Sequence, residues 1–461
     1  MDLAKLQIEG LRGFATEQIL DFAIPTGEYG SGITLLVGPN NGGKSTIIEA
    51  IRALSLNSEQ SFTVGKRNQR ASDKVSITIT GANECSWQLK TIESGGSECD
   101  LIKNGDPVPV NSIFVLPSRR FFNPLFSKAT QSREQYVQSS GFPAVRSAAL
   151  NSFSYRLFTI QKNREEFDSV LKKVLDPVPN WTIDQSDGGQ YFLKYDTGGS
   201  YHNSDGLGEG LISLFFIIDA LYDSEPSNVI VIDEPELSLH PTFQRKLAQL
   251  LNEYASDRQI VIATHSPYFV DFSAIVNSAK IARVFSKNFE SQIAMLSDQS
   301  TQKISGFLSN LNNPHILGLN AKEVFFLDEN IILVEGQEDV VFYQKIIQQL
   351  SLPLEGTFFG WGVGGAHNMD PISRILTDLG FEKVVGILDA DKADLVRSLS
   401  QSYPNFSFHT IPANDVRTKS ALPEKQAVEG LVDEHGILRQ QYNEQLTFLF
   451  DSINAYFQKN G

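Results

Sequence analysis

A chain of 461 residues is longer than a single compact core usually holds, so two or three domains are expected. With 41% hydrophobic and 20% charged residues, the composition is that of a folded globular protein and excludes bulk disorder. A net charge of −15 excludes indiscriminate coating of nucleic acid, and two cysteines, Cys85 and Cys99, without metal-ligand spacing, exclude a disulfide framework.

The N-terminal run MDLAKLQIEGLRGF carries charges where a signal peptide needs apolar residues. The longest apolar stretch, Leu211–Tyr222, is interrupted by Asp219 and is too short to span a bilayer. A cytoplasmic protein that does not enter membranes is the expectation.

In chain order, residues 3–37 read as strands, the last of them the buried run Ile33-Thr-Leu-Leu-Val37. Gly38–Gly43 breaks that run and Ser45–Leu56 reads as a helix. Val75–Thr80 and Ser86–Ile92 read as antiparallel strands, residues 120–177 as a mainly helical insertion, and Trp181–Tyr195 as two strands around Asp187-Gly-Gly189. A helix over Leu207–Leu221, a buried strand over Val229–Ile232, a helix over Pro241–Ala255 and a strand over Ile260–Ala263 follow. The less patterned stretch 274–328 reads as a connector between a first domain, 1–273, and a second, 329–461. The second alternates strand and helix: Ile331–Val334, Val340–Leu350, Thr357–Trp361, a helix near 370–379 and Val384–Leu388, which describes a smaller parallel sheet. The fold class is therefore α/β throughout.

Between Arg119 and Lys173 stand ten basic residues (Arg119, Arg120, Lys128, Arg133, Arg146, Arg156, Lys162, Arg164, Lys172 and Lys173) against four acidic ones, Glu134, Glu165, Glu166 and Asp168. Such a segment is either a solvated helical face or a DNA-facing surface.

The first chemical signal is Gly38-Pro-Asn-Asn-Gly-Gly-Lys-Ser-Thr46, a P-loop set between an apolar strand and a helix. Its glycines, and the backbone of Asn40 and Gly43 through Thr46, let N–H groups wrap phosphates at a helix N-terminus. Lys44 is placed to meet the β- and γ-phosphates and Ser45 to hold magnesium. The second half of such a site is an acid ending a hydrophobic strand, and Val229-Ile-Val-Ile-Asp-Glu-Pro-Glu236 supplies it. Asp233 would serve the magnesium and Glu234 would polarise the attacking water.

The run Asp233-Glu-Pro-Glu-Leu-Ser-Leu-His-Pro241, followed by Ile260-Val-Ile-Ala-Thr-His-Ser266, resembles the ABC ATPase superfamily in its SMC- and RecF-like branch. The resemblance makes Glu236–Pro241 the D-loop and His265 the switch histidine at the γ-phosphate. It makes Asn203-Ser-Asp-Gly-Leu-Gly-Glu-Gly210 a variant signature motif, with Ser204, Gly206 and Gly208 meeting the nucleotide of another subunit. No glutamine-bearing Q-loop is evident, and Leu116-Pro-Ser-Arg-Arg120 falls in its region. The resemblance implies ATP sandwiched between two heads, hence a homodimer or higher homo-oligomer.

A second signal lies downstream. Glu335 follows the strand Ile331–Val334, and Asp389 and Asp391 follow Val384–Leu388, so three acids gather where parallel sheets bind ligands. An oxygen-rich cluster suits magnesium or manganese, and such a centre can cleave a phosphodiester. These segments resemble the Toprim domain, whose Glu and D-x-D motifs fall on Glu335, Asp389 and Asp391. The nuclease branch adds an acid matched by Asp339, and Gly364-Gly365 resembles the glycine turn between the motifs. Ile411-Pro-Ala-Asn-Asp-Val-Arg-Thr-Lys419 occupies the region of a further acid and base, which makes Asp415 a metal ligand or loop residue and Lys419 a transition-state cation or loop residue.

An ABC/RecF-like head followed by Toprim resembles the OLD (overcoming lysogenization defect) family over nearly the whole chain. That resemblance implies an ATP-dependent, divalent-metal DNA endonuclease of antiphage defence. Members of that family occur alone, beside a helicase-like partner, or with a retron reverse transcriptase and its DNA. The short C-terminal region and compact insertion suggest a member that acts with a partner, the retron-associated type being the expectation although no residue establishes it. The competing reading is a RecF-like, ATP-gated DNA clamp whose second domain is only a scaffold.

Overall fold

In the computed structural model the structure describes residues 2–56, 60–63, 65–92, 97–105, 113–139, 150–196, 200–203, 208–226, 228–309, 319–326, 330–419 and 427–458. The chain divides into two compact units, Met1–Met295 and Leu296–Gly461.

Two of the three sheets among the first unit's described residues frame the P-loop. One runs in the order Glu290–Met295, Lys280–Lys287, Ile33–Val37, Gln259–Ala263, Val229–Asp233, Ile113–Leu116; only the Glu290–Met295 edge is antiparallel. Its central strands are buried on both faces, the reason they read as unbroken apolar runs. The other sheet is antiparallel, with Leu3–Glu9 paired to Gln18–Asp21 and Ser76–Gly81, then Ser86–Thr91, Glu98–Asn104 and Gln60–Ser61. Its strands alternate buried and half-buried residues, so one face is apolar. Helix Lys44–Ser55 shares a core with both sheets through Ile47, Ile48 and Ile51, packed among Leu6, Ile77, Leu89, Val231 and Val261. The P-loop is thereby fixed in the cleft between two layers.

The expected connector is corrected at its start. Residues 280–295 form the hairpin Lys280–Lys287/Glu290–Met295, an integral part of the first unit's sheet. Arg283 broke the apolar pattern here, yet it is fully buried with its guanidinium 4.4 Å from the Phe285 ring centre. The strand also floors the P-loop: a Cβ on Gly42 would stand 2.2 Å from the Val284 carbonyl oxygen, so only glycine fits there.

The insertion holds helices Arg133–Ser139, Ser152–Ile160 and Arg164–Val174, packed on helix Glu209–Tyr222 and the three-stranded sheet of 180–203. Part of its positive charge turns inward or is paired on the surface. Arg120 and Arg156 are buried, Arg133 pairs with Asp223, Arg164 with Asp168 at 2.9 Å and Lys173 with Glu253 at 2.8 Å. Asp219, the charge that interrupts the apolar helix, accepts a 2.8 Å bond from Arg156 Nε. Asp219→Ala would leave a buried, partly unpaired guanidinium, and a loss of about 3–5 kcal/mol is expected. Urea unfolding of the variant measures it; an unchanged midpoint would mean Asp223 alone neutralises Arg156.

The second unit carries a four-stranded, fully parallel sheet in the order Thr357–Phe358, Ile331–Val334, Val384–Leu388, Ser407–Thr410. Helices Gln337–Leu350 and Asn443–Gln458 share a core with it through Tyr343, Ile346, Phe450 and Ile453, and Met369–Asp378 and Ala393–Ser402 complete the alternation. The expected strand Thr357–Trp361 is shorter than its apolar content suggests, because Gly360 and Gly362 take positive φ and turn the chain. Among the described residues no helix is long and apolar enough to cross a membrane.

Candidate functional site

The first unit contains a cavity of about 860 Å³ lined by the P-loop from Asn40 to Thr46, by Asp233, Glu234 and His265, and by Arg12, Lys66 and Phe62 of the antiparallel layer. Lys44 is buried, and its ammonium donates to the Gly38 and Pro39 carbonyl oxygens at 2.9 and 2.8 Å. Burial pulls its pKa down to about 8 against the pull of Asp233, Glu234 and Glu236. A phosphate would supply the counter-charge this lysine lacks in direct contact. Ser45 Oγ stands 3.4 Å from Asp233 Oδ1, the separation a shared cation would bridge.

Glu234 is held by its backbone. Its N–H donates to the Ala263 carbonyl at 2.7 Å, and its φ of +48° is a left-handed geometry that non-glycine residues adopt at a cost. Glu236, next in the D-loop, accepts from the His265 N–H at 2.6 Å and the Thr264 hydroxyl at 2.8 Å. It thereby ties the two expected γ-phosphate segments together. Burial raises the Glu236 carboxyl pKa, and burial, then the nearby Lys44 charge, lowers that of His265.

Arg120 is the residue whose role the sequence concealed. Instead of a glutamine loop, Leu116–Arg120 delivers a buried guanidinium beneath the Asp233-Glu234 turn. Its donors reach the Pro117 and Asp233 carbonyls at 2.7 Å, the Glu234 carbonyl at 2.8 Å and Ser213 Oγ at 2.8 Å. Burial lowers its pKa to about 10, opposed by Asp233, Glu236 and Glu234. Ser213 lies on helix Glu209–Tyr222, so one side chain links that helix to the turn carrying Glu234. Arg120→Ala orphans those acceptors; ATP turnover is expected to fall at least about tenfold with nucleotide binding retained, read by phosphate release and fluorescent-nucleotide titration. Equal loss of binding would make Arg120 a general fold support rather than a positioning residue.

Of the expected signature residues, Ser204 and Gly206 lie outside the described residues; Gly208 caps helix Glu209–Tyr222 in extended conformation.

In the second unit, Glu335, Asp339, Asp389, Asp391 and Asp415 occupy one electrostatic neighbourhood at the sheet's C-terminal edge. The Asp389 carboxyl is pushed up to about 8, first by burial and then by Glu335, Asp339, Asp415 and Asp391. Asp339 is pushed up to about 6, again first by burial, although the Gly336 N–H opposes it. Among the described residues no three His, Cys, Asp or Glu side chains converge as a ready cation cage. The carboxylates are engaged within the fold instead. Asp339 caps its helix by accepting from Gly336 N at 2.9 Å, Glu335 Oε1 faces Asp389 N at 3.3 Å, Lys392 pairs with Asp391 at 2.6 Å, and Lys419 pairs with Asp415. An all-oxygen set in which burial and then neighbouring carboxylates raise Asp389 and Asp339 fits a hard divalent cation, which would offset both effects.

The fold and first site define an ABC-like ATPase head, with a nucleotide cleft between a mixed sheet and an antiparallel layer. Two family models match it: "AAA domain, putative AbiEii toxin, Type IV TA system" over residues 117–271 and "AAA domain" over residues 5–178. The Septu protein PtuA of Bacillus thuringiensis is 23% identical over 313 residues, 59% of this chain and 74% of that protein. The OLD nuclease of Thermus scotoductus is 31% identical over 159 residues, 32% of this chain and 28% of that protein. Endonuclease GajA of Bacillus cereus is 22% identical over 202 residues, 42% and 32% of the respective chains. The chain is similar to these proteins over part of its length, spanning 28% of the OLD nuclease and 32% of endonuclease GajA.

Proposed function

We propose that the chain is an ATP-binding and ATP-hydrolysing, divalent-metal-dependent DNA endonuclease of the antiphage-defence type. The observation that carries the nuclease half is the acid cluster at the parallel sheet edge, where burial and four neighbouring carboxylates raise Asp389 to about 8. Asp339, Asp391 and Asp415 also serve the fold through Gly336, Lys392 and Lys419, but the half-buried Asp389 beside Glu335 has no cation paired with it among the described residues and suits a divalent one. The names of the OLD nuclease and endonuclease GajA support the same chemistry.

In this reading the P-loop from Asn40 to Thr46 and Asp233 bind ATP and its magnesium, Glu234 orients water and His265 meets the γ-phosphate. ATP held between two such heads would make the DNA-competent assemblies homodimers or larger. In the Toprim-like unit Glu335, Asp389 and Asp391, with Asp339 and Asp415, hold magnesium or manganese, and Lys419 answers charge on the phosphate. A divalent cation there supplies water activation and neutralises the leaving oxygen.

The test is incubation of the chain with supercoiled plasmid and magnesium or manganese, with and without ATP. Metal-dependent nicking or linearisation supports the proposal, and its change with ATP shows whether the head activates or restrains it. ATP-dependent DNA retention without strand scission in either metal would favour the clamp reading.

A further inference from the structure

Among the described residues the most exposed large apolar side chain is Phe289, 90% exposed at the tip of the hairpin Lys280–Lys287/Glu290–Met295. Lys287 pairs with Glu290, so the loop is only Asn288 and Phe289, and both take positive φ, +51° and +64°. That is the pattern of a type I′ turn, whose second position suits glycine and strains a bulky residue. Phe289 is thus unfavourable to its own fold twice over, in backbone and in solvation.

The tip is nonetheless held, and by residues of the nucleotide cavity. Arg70 Nη1 donates to the Asn288 carbonyl at 2.9 Å and to Glu290 Oε1 at 3.0 Å. Asn68, which caps the short helix carrying Arg70, donates to the Arg12 carbonyl at 2.6 Å. Arg12 and Lys66 in turn grip Glu49 of the P-loop helix at 2.8 and 2.7 Å. Ser291, two residues past Phe289, donates its N–H to Gly13 O at 2.8 Å, and a Cβ on Gly43 would stand 2.9 Å from its Oγ. Arg12, Glu49, Lys66 and Ser291 all line the cavity, so the tip is braced to the cavity wall.

A lone aromatic ring buries about 150–250 Å², against the ~800 Å² that each partner of a stable complex loses. It holds no standing partner by itself and suits a contact that something else completes. The face it flanks is the mouth of the nucleotide cavity, the face that ATP held between two heads would cover. A two-fold pair presents that face twice, so each copy brings its own Phe289 to the contact.

We infer that Phe289 is the apolar anchor by which one head docks on a second copy of this chain when nucleotide fills the cavity. The inference rests on the reading of ATP held between two heads and adds a contact outside the nucleotide motifs that secures the pair. The experiment uses the full chain in the Glu234→Gln background, where ATP should hold the pair long enough to be weighed by mass photometry. Phe289→Ala should raise the dimer's dissociation constant at least about tenfold, and Phe289→Trp should keep the dimer. Phe289→Gly should weaken the dimer as Phe289→Ala does, yet melt without nucleotide at or above wild type, because glycine takes positive φ freely. Affinity for ADP, measured where the chain is monomeric, should be the same in all of them. A photo-reactive benzoylphenylalanine in place of Phe289 should cross-link to a second chain in ATP. An ATP-dependent Glu234→Gln dimer that Phe289→Ala leaves at full strength overturns this inference alone. Loss of ADP affinity in Phe289→Ala would make the ring a platform for the nucleotide base, and a lower melting temperature in Phe289→Gly would make it a support of the fold; either overturns docking as its role. Failure of Glu234→Gln to dimerise while it binds ATP overturns the two-head reading and this inference with it.

Discussion

Asp389→Ala should abolish DNA cleavage while leaving ATP binding and turnover at wild-type levels. Asp389 follows the strand Val384–Leu388, buried along its whole length, and its backbone N–H faces Glu335 Oε1 at 3.3 Å. The two central acids are therefore set by neighbouring strands rather than by flexible loops. Removing a ligand from such a centre costs several kcal/mol of transition-state stabilisation, about 10³-fold or more in rate. Plasmid cleavage in magnesium and manganese reads the loss directly; cleavage at the wild-type rate would place the metal centre elsewhere.

The same substitution carries a stability signature that needs no DNA. The native Asp389 carboxyl keeps its proton until about pH 8, whereas an unfolded aspartate loses it near its ordinary value. Between those values the native state binds more protons, so metal-free stability falls as pH rises and the loss is complete above about pH 8. Solvent screening at this half-buried position leaves a penalty on the order of 1–3 kcal/mol at pH 8. In chelator at that pH, Asp389→Ala should melt a few degrees above wild type. A divalent cation should stabilise wild type and not the variant. A cation-induced shift of equal size in both would separate metal binding from Asp389.

Where function is written in contiguous residues, the sequence was readable. The strand, loop and helix from Ile33 to Ser55 lie where hydrophobic run, glycines and Lys44-Ser45 place them, and the strand Val384–Leu388 ends where expected. Features made by tertiary contact were hidden. Arg120 resembled one more member of a basic segment, and only the fold shows its guanidinium beneath Asp233 and Glu234. The hairpin after Lys280 is hidden in the sequence because Arg283 violates the apolar pattern that burial would otherwise impose. The basic stretch from Arg119 to Lys173 left two readings open, and the fold withdraws part of its charge from the surface. Composition suggested a possible DNA track, but Arg156 and Arg133 are consumed by Asp219 and Asp223 within the unit. The Glu236 contacts with Thr264 and His265 were hidden as well, because spacing cannot say that a carboxylate will turn back to the next strand's end.

Glu234→Gln is the second large effect, and its value lies in how little else it disturbs. The Glu234 backbone is pinned from two sides, by Ala263 O on its N–H and by Arg120 on its carbonyl, so an isosteric side chain inherits the same position. Lys44, Ser45 and Asp233 are untouched, and nucleotide affinity should persist within a few fold. What is lost is the carboxylate that orients and polarises water, a role on the order of 10²- to 10⁴-fold in turnover. ATP should then accumulate between paired heads, so size-exclusion or mass photometry should show a nucleotide-dependent dimer that wild type forms only transiently. Lys44→Ala supplies the opposite case, because removing the buried ammonium that faces the phosphate path should lower nucleotide affinity by at least about 10²-fold and abolish the dimer. If Glu234→Gln turned over ATP normally, another group would activate the water. His265, backbone-anchored to Glu236 at the cavity wall and lowered in pKa by burial, would be the next residue to replace.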